Sequence, residues 1–174
     1  QFSSLVLDYL NQRDALKPFY AHFPNPEGFK NAVAERKKNP TDRKALYDAF
    51  ALTHAGKTLT AAQQKNLEAL QQENTFTVCT AHQPNIFSGY LYFIYKTLHA
   101  ISLAESLNQQ MPESHFVPVF YIGSEDNDFD ELSQLNLDGE KLRWETKQTG
   151  AVGRMKVDKG LLALIRQIEG RLGV

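Results

Sequence analysis

The sequence predicts an α/β protein: an N-terminal α-helical arm at residues 1–74, followed at 75–174 by the first part of a parallel sheet core. Three observations carry this. Helix-period patterns fill the chain up to residue 74, two β-branched and aromatic runs appear only after it, and one long amphipathic pattern links those two runs. Strand, helix, strand in that order is the βαβ unit of a parallel sheet.

Four helices are expected in the arm. The first covers "FSSLVLDYLNQRDALKPFY", where Leu5, Tyr9, Leu10 and Leu16 recur at roughly helical spacing until Pro18 interrupts. Asn25 and Pro26 open the second, "NPEGFKNAVAERKK", and Asn39 and Pro40 punctuate it. "TDRKALYDAFALTHAG" has Leu46, Ala49, Phe50 and Thr53 on one side and stops at Gly56. Thr60 and Gln63 then form the T-x-x-Q of a capping box before "KNLEALQQEN". The charges of the arm read as solvated helix faces.

In the core, "TFTVCTA" and "HFVPVFYIG" read as buried parallel strands. Phe87, Leu91, Ile94, Leu98 and Ile101 step by four, three, four and three, the stripe of a helix of about five turns over residues 88–107. Asp138-Gly139 marks a hairpin near residues 133–146. Leu161, Ile165, Ile168 and Leu172 form the stripe of a closing helix. Two or three central strands do not complete a doubly wound sheet, so the chain is expected to be the N-terminal piece of a larger enzyme.

Composition narrows the function. With 42% hydrophobic and 22% charged residues the chain is globular, and no window reaches the roughly 20 apolar residues of a membrane span. The start at Gln1 shows no basic-then-apolar leader, and the missing initiator Met suggests trimming; the expectation is a cytoplasmic protein. A net charge of −1 offers no basic footprint for nucleic acid and favours a small-molecule ligand. The single cysteine, Cys79, is expected to be a buried, inert thiol within its strand.

Two polar clusters follow the predicted strands, where ligands of open α/β sheets bind. The first is "HQPN", residues 82–85: Pro84 stiffens the turn, Gly89 permits close approach, and the free amides of the next helix favour an anion such as phosphate. Ser88, Tyr92 and Lys96, spaced by four, are expected on one helix edge, with Lys96 supplying a cation. The second is "GSEDNDFDEL", where Glu125, Asp126, Asp128, Asp130 and Glu131 repel one another unless a cation, a basic ligand or a helix N-terminus offsets them. An EF-hand fails on spacing: counted from Asp126, the sixth position is Glu131 and the twelfth Leu137, where Gly and Glu are required. A βαβ unit brings both clusters to one crevice.

These residues carry a family resemblance. "TAHQPNIFSGYLYFIYK" resembles the T-G-Q-Q-x-G-L-x-T-G-P-L-Y-T-x-x-K segment of the bacillithiol biosynthesis enzymes that add cysteine. "VPVFYIGSEDNDFDEL" resembles their V-P-V-F-W-I-x-x-E-D-H-D-F-x-E-I segment, and "FSSLVLDYL" looks like their N-terminus. The resemblance implies a Rossmann-like core, a C-terminal coiled coil that makes the full-length protein a homodimer, and ligation of L-cysteine to glucosaminyl malate through an amide. The likeness of that core to nucleotidyltransferases implies a nucleotide, with ATP as the hypothesis. Thr80, Gln83, Gly89, Leu91, Tyr92, Lys96, Glu125, Asp126, Asp128 and Phe129 match the family's motifs. Ala81, His82, Tyr90 and Asn127 stand where the family has Gly, Gln, Pro and His.

The resulting candidate site has His82, Glu125 and Asp126 as catalytic residues, His82 by analogy with nucleotidyltransferase histidines. Thr80, Gln83, Asn85, Ser88, Gly89, Tyr92, Lys96, Ser124 and Asp128 are candidates for binding substrate or nucleotide, and no metal is assigned. Two alternatives stay open. Asp126 and Asp128 form the D-x-D of metal-dependent nucleotide-sugar glycosyltransferases, and the helical stripes also suit a non-catalytic interaction module.

Overall fold

The computed structural model describes residues 2–173, which divide into two compact units between Gln71 and Gln72. Among these residues no helix is long and apolar enough to cross a membrane.

The first unit is helical, and side-chain caps set its boundaries. α1, Ser4–Leu10, is capped by the Ser3 hydroxyl, which accepts from the Val6 amide. It ends well before Pro18, because Gln12 turns into the left-handed region at φ 51°, and Asp14–Phe19 follows as a 3₁₀ turn. α2, Pro26–Arg36, starts on Asn25, whose side chain accepts from the Gly28 amide at 2.8 Å. α3, Arg43–His54, starts on Asp42, and α4, Ala61–Ala69, on the Thr60/Gln63 capping box. Tyr9, Tyr20 and Phe23 gather in one aromatic cluster, with ring centroids 5.2 to 6.2 Å apart.

The second unit begins with the βαβ motif. β1, Thr75–His82, runs parallel to β2, His115–Ile122, in register from Thr75 opposite His115 to His82 opposite Ile122. α5, Leu91–Gln110, joins them. The expected α/β class and parallel pair are both present, but the burial of α5 differs from expectation. Its sheet-facing side is Phe93, Thr97, Ala100, Ala104 and Leu107, of which Ala100, Ala104 and Leu107 are buried. The larger stripe of Phe87, Leu91, Ile94, Leu98 and Ile101 is exposed, at 39% to 63% of each residue's surface. Small residues win the sheet face because they let the helix backbone approach the strands closely. Cys79 also departs from expectation: it is exposed, on the sheet face it shares with Thr77 and Ala81, which this chain leaves open.

After β2 come α6, Phe129–Leu132, and the hairpin of β3, Gln134–Leu137, with β4, Glu140–Arg143. Asp138 and Gly139 take φ of 51° and 79°, the two positive values that a two-residue hairpin turn requires. α7, Lys159–Leu172, packs on the hairpin. Leu135, Leu142, Trp144, Leu164 and Ile168 form that core, with Ile86, Phe129 and Leu161 against it. The α7 stripe is thus rotated from its expected position: Leu164 is buried at its centre, and Leu172 is 60% exposed.

Candidate functional site

The parallel register sets the ends of β1 and β2 side by side. The Gly123 amide donates to the His82 carbonyl at 2.9 Å, so the Gln83–Gly89 and Gly123–Asp128 loops leave the sheet from adjacent points. This is the strand-end position where open α/β sheets bind ligands.

On the β1 side, His82 is 7% exposed, and its ring lies 5.1 Å from Tyr92 and 5.6 Å from Phe93. Its Nδ1 is 3.2 Å from the Gln83 carbonyl, which calls for the proton on that nitrogen. Thr80 is half-buried in β1 opposite Phe120, and Gln83 is half-buried where the loop begins. The loop is backbone-strained. Phe87, Ser88 and Gly89 have consecutive positive φ of 45°, 65° and 57°. A Cβ on Gly89 would sit 2.5 Å from Asn85 Nδ2, so only glycine fits. The Asn85 side chain wedged there has both polar atoms buried and without a hydrogen-bond partner among the described residues.

This turn corrects the expected helix edge. α5 begins at Leu91, so Ser88 lies outside it in the 3₁₀ turn Ile86–Ser88, and only Tyr92 and Lys96 share the edge. Tyr90 stands at the N-cap and makes no side-chain cap, though its carbonyl accepts from the Phe93 amide at 3.0 Å. Lys96 Nζ donates to the Ala81 carbonyl, which fixes its charge beside the last residues of β1.

On the β2 side, the crowded acids are answered largely from within. Asp126 accepts from the Asp128 amide at 2.8 Å, and Asp128 caps α6 by accepting from the Glu131 amide at 3.1 Å. Asp130 pairs with Arg143, and Glu131 accepts from the Tyr92 hydroxyl. Glu125 is held more loosely, with its oxygens 3.3 and 3.5 Å from the Tyr121 hydroxyl. Both acids of the D-x-D are therefore engaged by backbone amides, and among the described residues no group of three His, Cys, Asp or Glu is placed to hold a metal.

The structure also brings in residues that sequence reasoning passed over. The Val152 amide donates to the Asp126 carbonyl at 2.8 Å and the Gly153 amide to the Ser124 carbonyl at 3.0 Å. A Cβ on Gly153 would lie 2.5 Å from that of Ser124, so the glycine of "GAVGR" permits this contact. Tyr90 stacks on Tyr92 at 5.8 Å and accepts from Gln134 Nε2 at 2.8 Å. No motif announced the Tyr90–Gln134 contact, because its partners are 44 residues apart.

The Tyr92 phenol is pushed up to about 12, first by its bond to Glu131, then by burial and by the charge of that carboxylate. At neutral pH it is a donor. The two adjacent strand-end loops thus carry the start of α5 and Lys96 on one side and a run of carboxylates on the other, a composition suited to a ligand with both an anionic and a cationic group.

The whole sequence, residues 1–174, matches the family described as "Bacillithiol biosynthesis BshC, N-terminal Rossmann-like domain". Similar proteins named "Putative cysteine ligase BshC" occur in Flavobacterium psychrophilum, 39% identical over 99% of this chain, and in Flavobacterium johnsoniae, 40% identical over 90%. A third, from Cytophaga hutchinsonii, is 40% identical over 88% of the chain. The matches cover 33%, 30% and 30% of those proteins, so the chain spans about a third of their length. With its βαβ unit, its two strand-end loops and a match along its entire length, the chain belongs to the bacillithiol biosynthesis BshC family, as its N-terminal Rossmann-like domain.

Proposed function

We propose that this chain supplies one side of the active site of a ligase that joins L-cysteine to glucosaminyl malate through an amide, in bacillithiol biosynthesis. The observation that carries the reading is the adjacency of the two strand-end loops, fixed by the bond between Gly123 and His82. The names of the relatives support the reaction class, and the family description supports the biosynthetic setting.

In this reading the α5 amides, Ser88 and Lys96 receive an anionic group, and Gln83 and Asn85 bind polar atoms of the ligand. Asn85 has unused hydrogen-bonding capacity, and a ligand that reorders its strained turn gives that amide a partner. Glu125 and Asp126 face the ammonium of cysteine or of the aminosugar, with Thr80, Ser124 and Asp128 shaping the walls and His82 moving a proton. The same anion side accommodates a nucleotide such as ATP, which when bound supplies the phosphate that activates a carboxylate. Joining the substrates requires all of them in one geometry, so residues 1–174 alone are expected to be inactive.

The test uses the full-length protein in a strain deleted for its gene. The deletion should abolish bacillithiol and accumulate glucosaminyl malate, and the wild-type gene should reverse both. Gln83→Ala should weaken ligand binding by about 1–3 kcal/mol in calorimetry. Asp126→Asn keeps the oxygen that accepts from Asp128, so a loss of cysteine or aminosugar binding at unchanged melting temperature reports the charge itself. Unaltered thiol pools in the deletion strain would overturn the reaction, and unaltered affinities would return these residues to structural work.

A further inference from the structure

α5 has the composition of a buried helix but lies half bare. Among its 20 residues Lys96 and Glu105 are the only full charges, and Lys96 is engaged by the Ala81 carbonyl. Phe93, Thr97, Ala100, Ala104 and Leu107 face the sheet, while Leu91, Ile94, Tyr95, Leu98 and Ile101 are 63%, 40%, 67%, 58% and 39% exposed. At 3.6 residues per turn the two stripes are centred roughly 130° apart around the axis. A helix that is apolar on both sides belongs inside a protein, and monomeric soluble proteins rarely leave so large a contiguous apolar face in water. The sheet beneath is equally unfinished: it has two parallel strands, and parallel sheets occur with both faces covered.

We infer that the Leu91–Ile94–Leu98–Ile101 face of α5 is the docking surface for an apolar element of the same polypeptide lying beyond residue 174. The length of the relatives argues for this occupant. About two-thirds of each lies outside the matched region, enough chain to supply covering elements. Leu91, Ile94, Tyr95, Leu98 and Ile101 run with no charged residue among them, and exposed Ser102 and Glu105 come only at the C-terminal edge of the face. The inference rests on family membership and on the exposed stripe, and it holds whichever reaction the crevice performs.

Photo-crosslinking in the full-length protein tests it. Leu98→p-benzoylphenylalanine, and Tyr95→p-benzoylphenylalanine as an aromatic-for-aromatic variant less apt to disturb folding, are illuminated and their links mapped by mass spectrometry. The expected product is a link from α5 to a peptide beyond residue 174 within one polypeptide. In parallel, in a Cys79→Ser background, Leu98→Cys should lose maleimide labelling that Gln110→Cys, at the exposed end of α5 and off that stripe, retains, and urea should restore it. A link between two copies, links confined to residues 2–173, or full labelling at position 98 in the native protein would each overturn the inference.

Discussion

The hydroxyl of Tyr92, on the first turn of α5, donates to the carboxylate of Glu131 on α6, and this bond ties the helix that follows β1 to the segment that follows β2. Tyr92 also packs on the buried ring of His82, so one side chain links the acidic loop, the helix start and the candidate catalytic imidazole.

The bond predicts an alkaline signature. Because the phenol is pushed from 10.0 up to about 12, the folded state holds this proton more tightly than the unfolded chain does. The stabilisation is complete below pH 10, the unfolded value, and is lost as pH rises through about 12. Among the seven tyrosines, the latest tyrosinate transition in an absorbance titration should vanish in Tyr92→Phe. In Glu131→Gln it should fall back toward about 10. A titration curve indifferent to Glu131→Gln would remove the bond from the account.

The turn before α5 predicts a contrast between two glycines of the same unit. Gly139 has φ 79° with nothing within 4 Å of a Cβ, so Gly139→Ala should cost only the backbone term, about 1 kcal/mol. Gly89 adds a clash with Asn85, and Gly89→Ala should cost about 2–4 kcal/mol. Denaturant midpoints of the two variants measure the difference; equal midpoints would mean that Asn85 moves aside freely.

Local features were legible in the sequence. The β-branched runs, the Asp138-Gly139 turn and the Thr60/Gln63 capping box involve neighbouring residues whose chemistry specifies backbone geometry directly. The burial of α5 was not legible by the same means. Periodicity favours the face with the largest side chains, here Leu91, Ile94, Leu98 and Ile101, whereas Ala100 and Ala104 sit against the strands. Cys79 was misread for a related reason, since the exposure of a sheet face depends on elements that its own strand does not specify. The adjacency of the two strand-end loops followed from the βαβ topology. The pairings of Tyr92 with Glu131 and Tyr90 with Gln134 join residues 39 and 44 apart and have no local sequence mark.

The small-residue face of α5 carries its own prediction. Ala104 is 1% exposed on the side turned to the sheet, so Ala104→Leu should force helix and sheet apart and cost about 1–3 kcal/mol. Glu105→Ala, at the next, exposed position, should stay within about 0.5 kcal/mol of wild type. Thermal or denaturant unfolding compares the two, and a neutral Ala104→Leu would mean that the helix does not pack through its alanines.

The last prediction concerns acid. Asp158 caps α7 and accepts from the Thr146 hydroxyl, from the Leu161 amide at 3.0 Å, from the Trp144 indole at 2.8 Å and from Gln148 Nε2 at 3.2 Å. These donors, the Thr146 hydroxyl foremost, hold its carboxyl well below the usual carboxylate range. A depressed value in the folded state means stability that is present above the unfolded value of about 4 and drains away as pH falls below it. Trp144 is the only tryptophan of the chain and sits against this carboxylate, so its fluorescence follows the hairpin and α7 directly. Asp158→Asn replaces one of the two accepting oxygens, each of which receives two of these four donors, with an NH2 that can only donate. Its unfolding midpoint at neutral pH should therefore drop, and the loss of stability below about pH 4 should flatten. Thr146→Val removes the foremost donor while leaving the carboxylate in place, so its acid limb should move to higher pH. If Asp158→Asn kept the full acid dependence of the wild type, the proton uptake responsible would lie at another carboxylate.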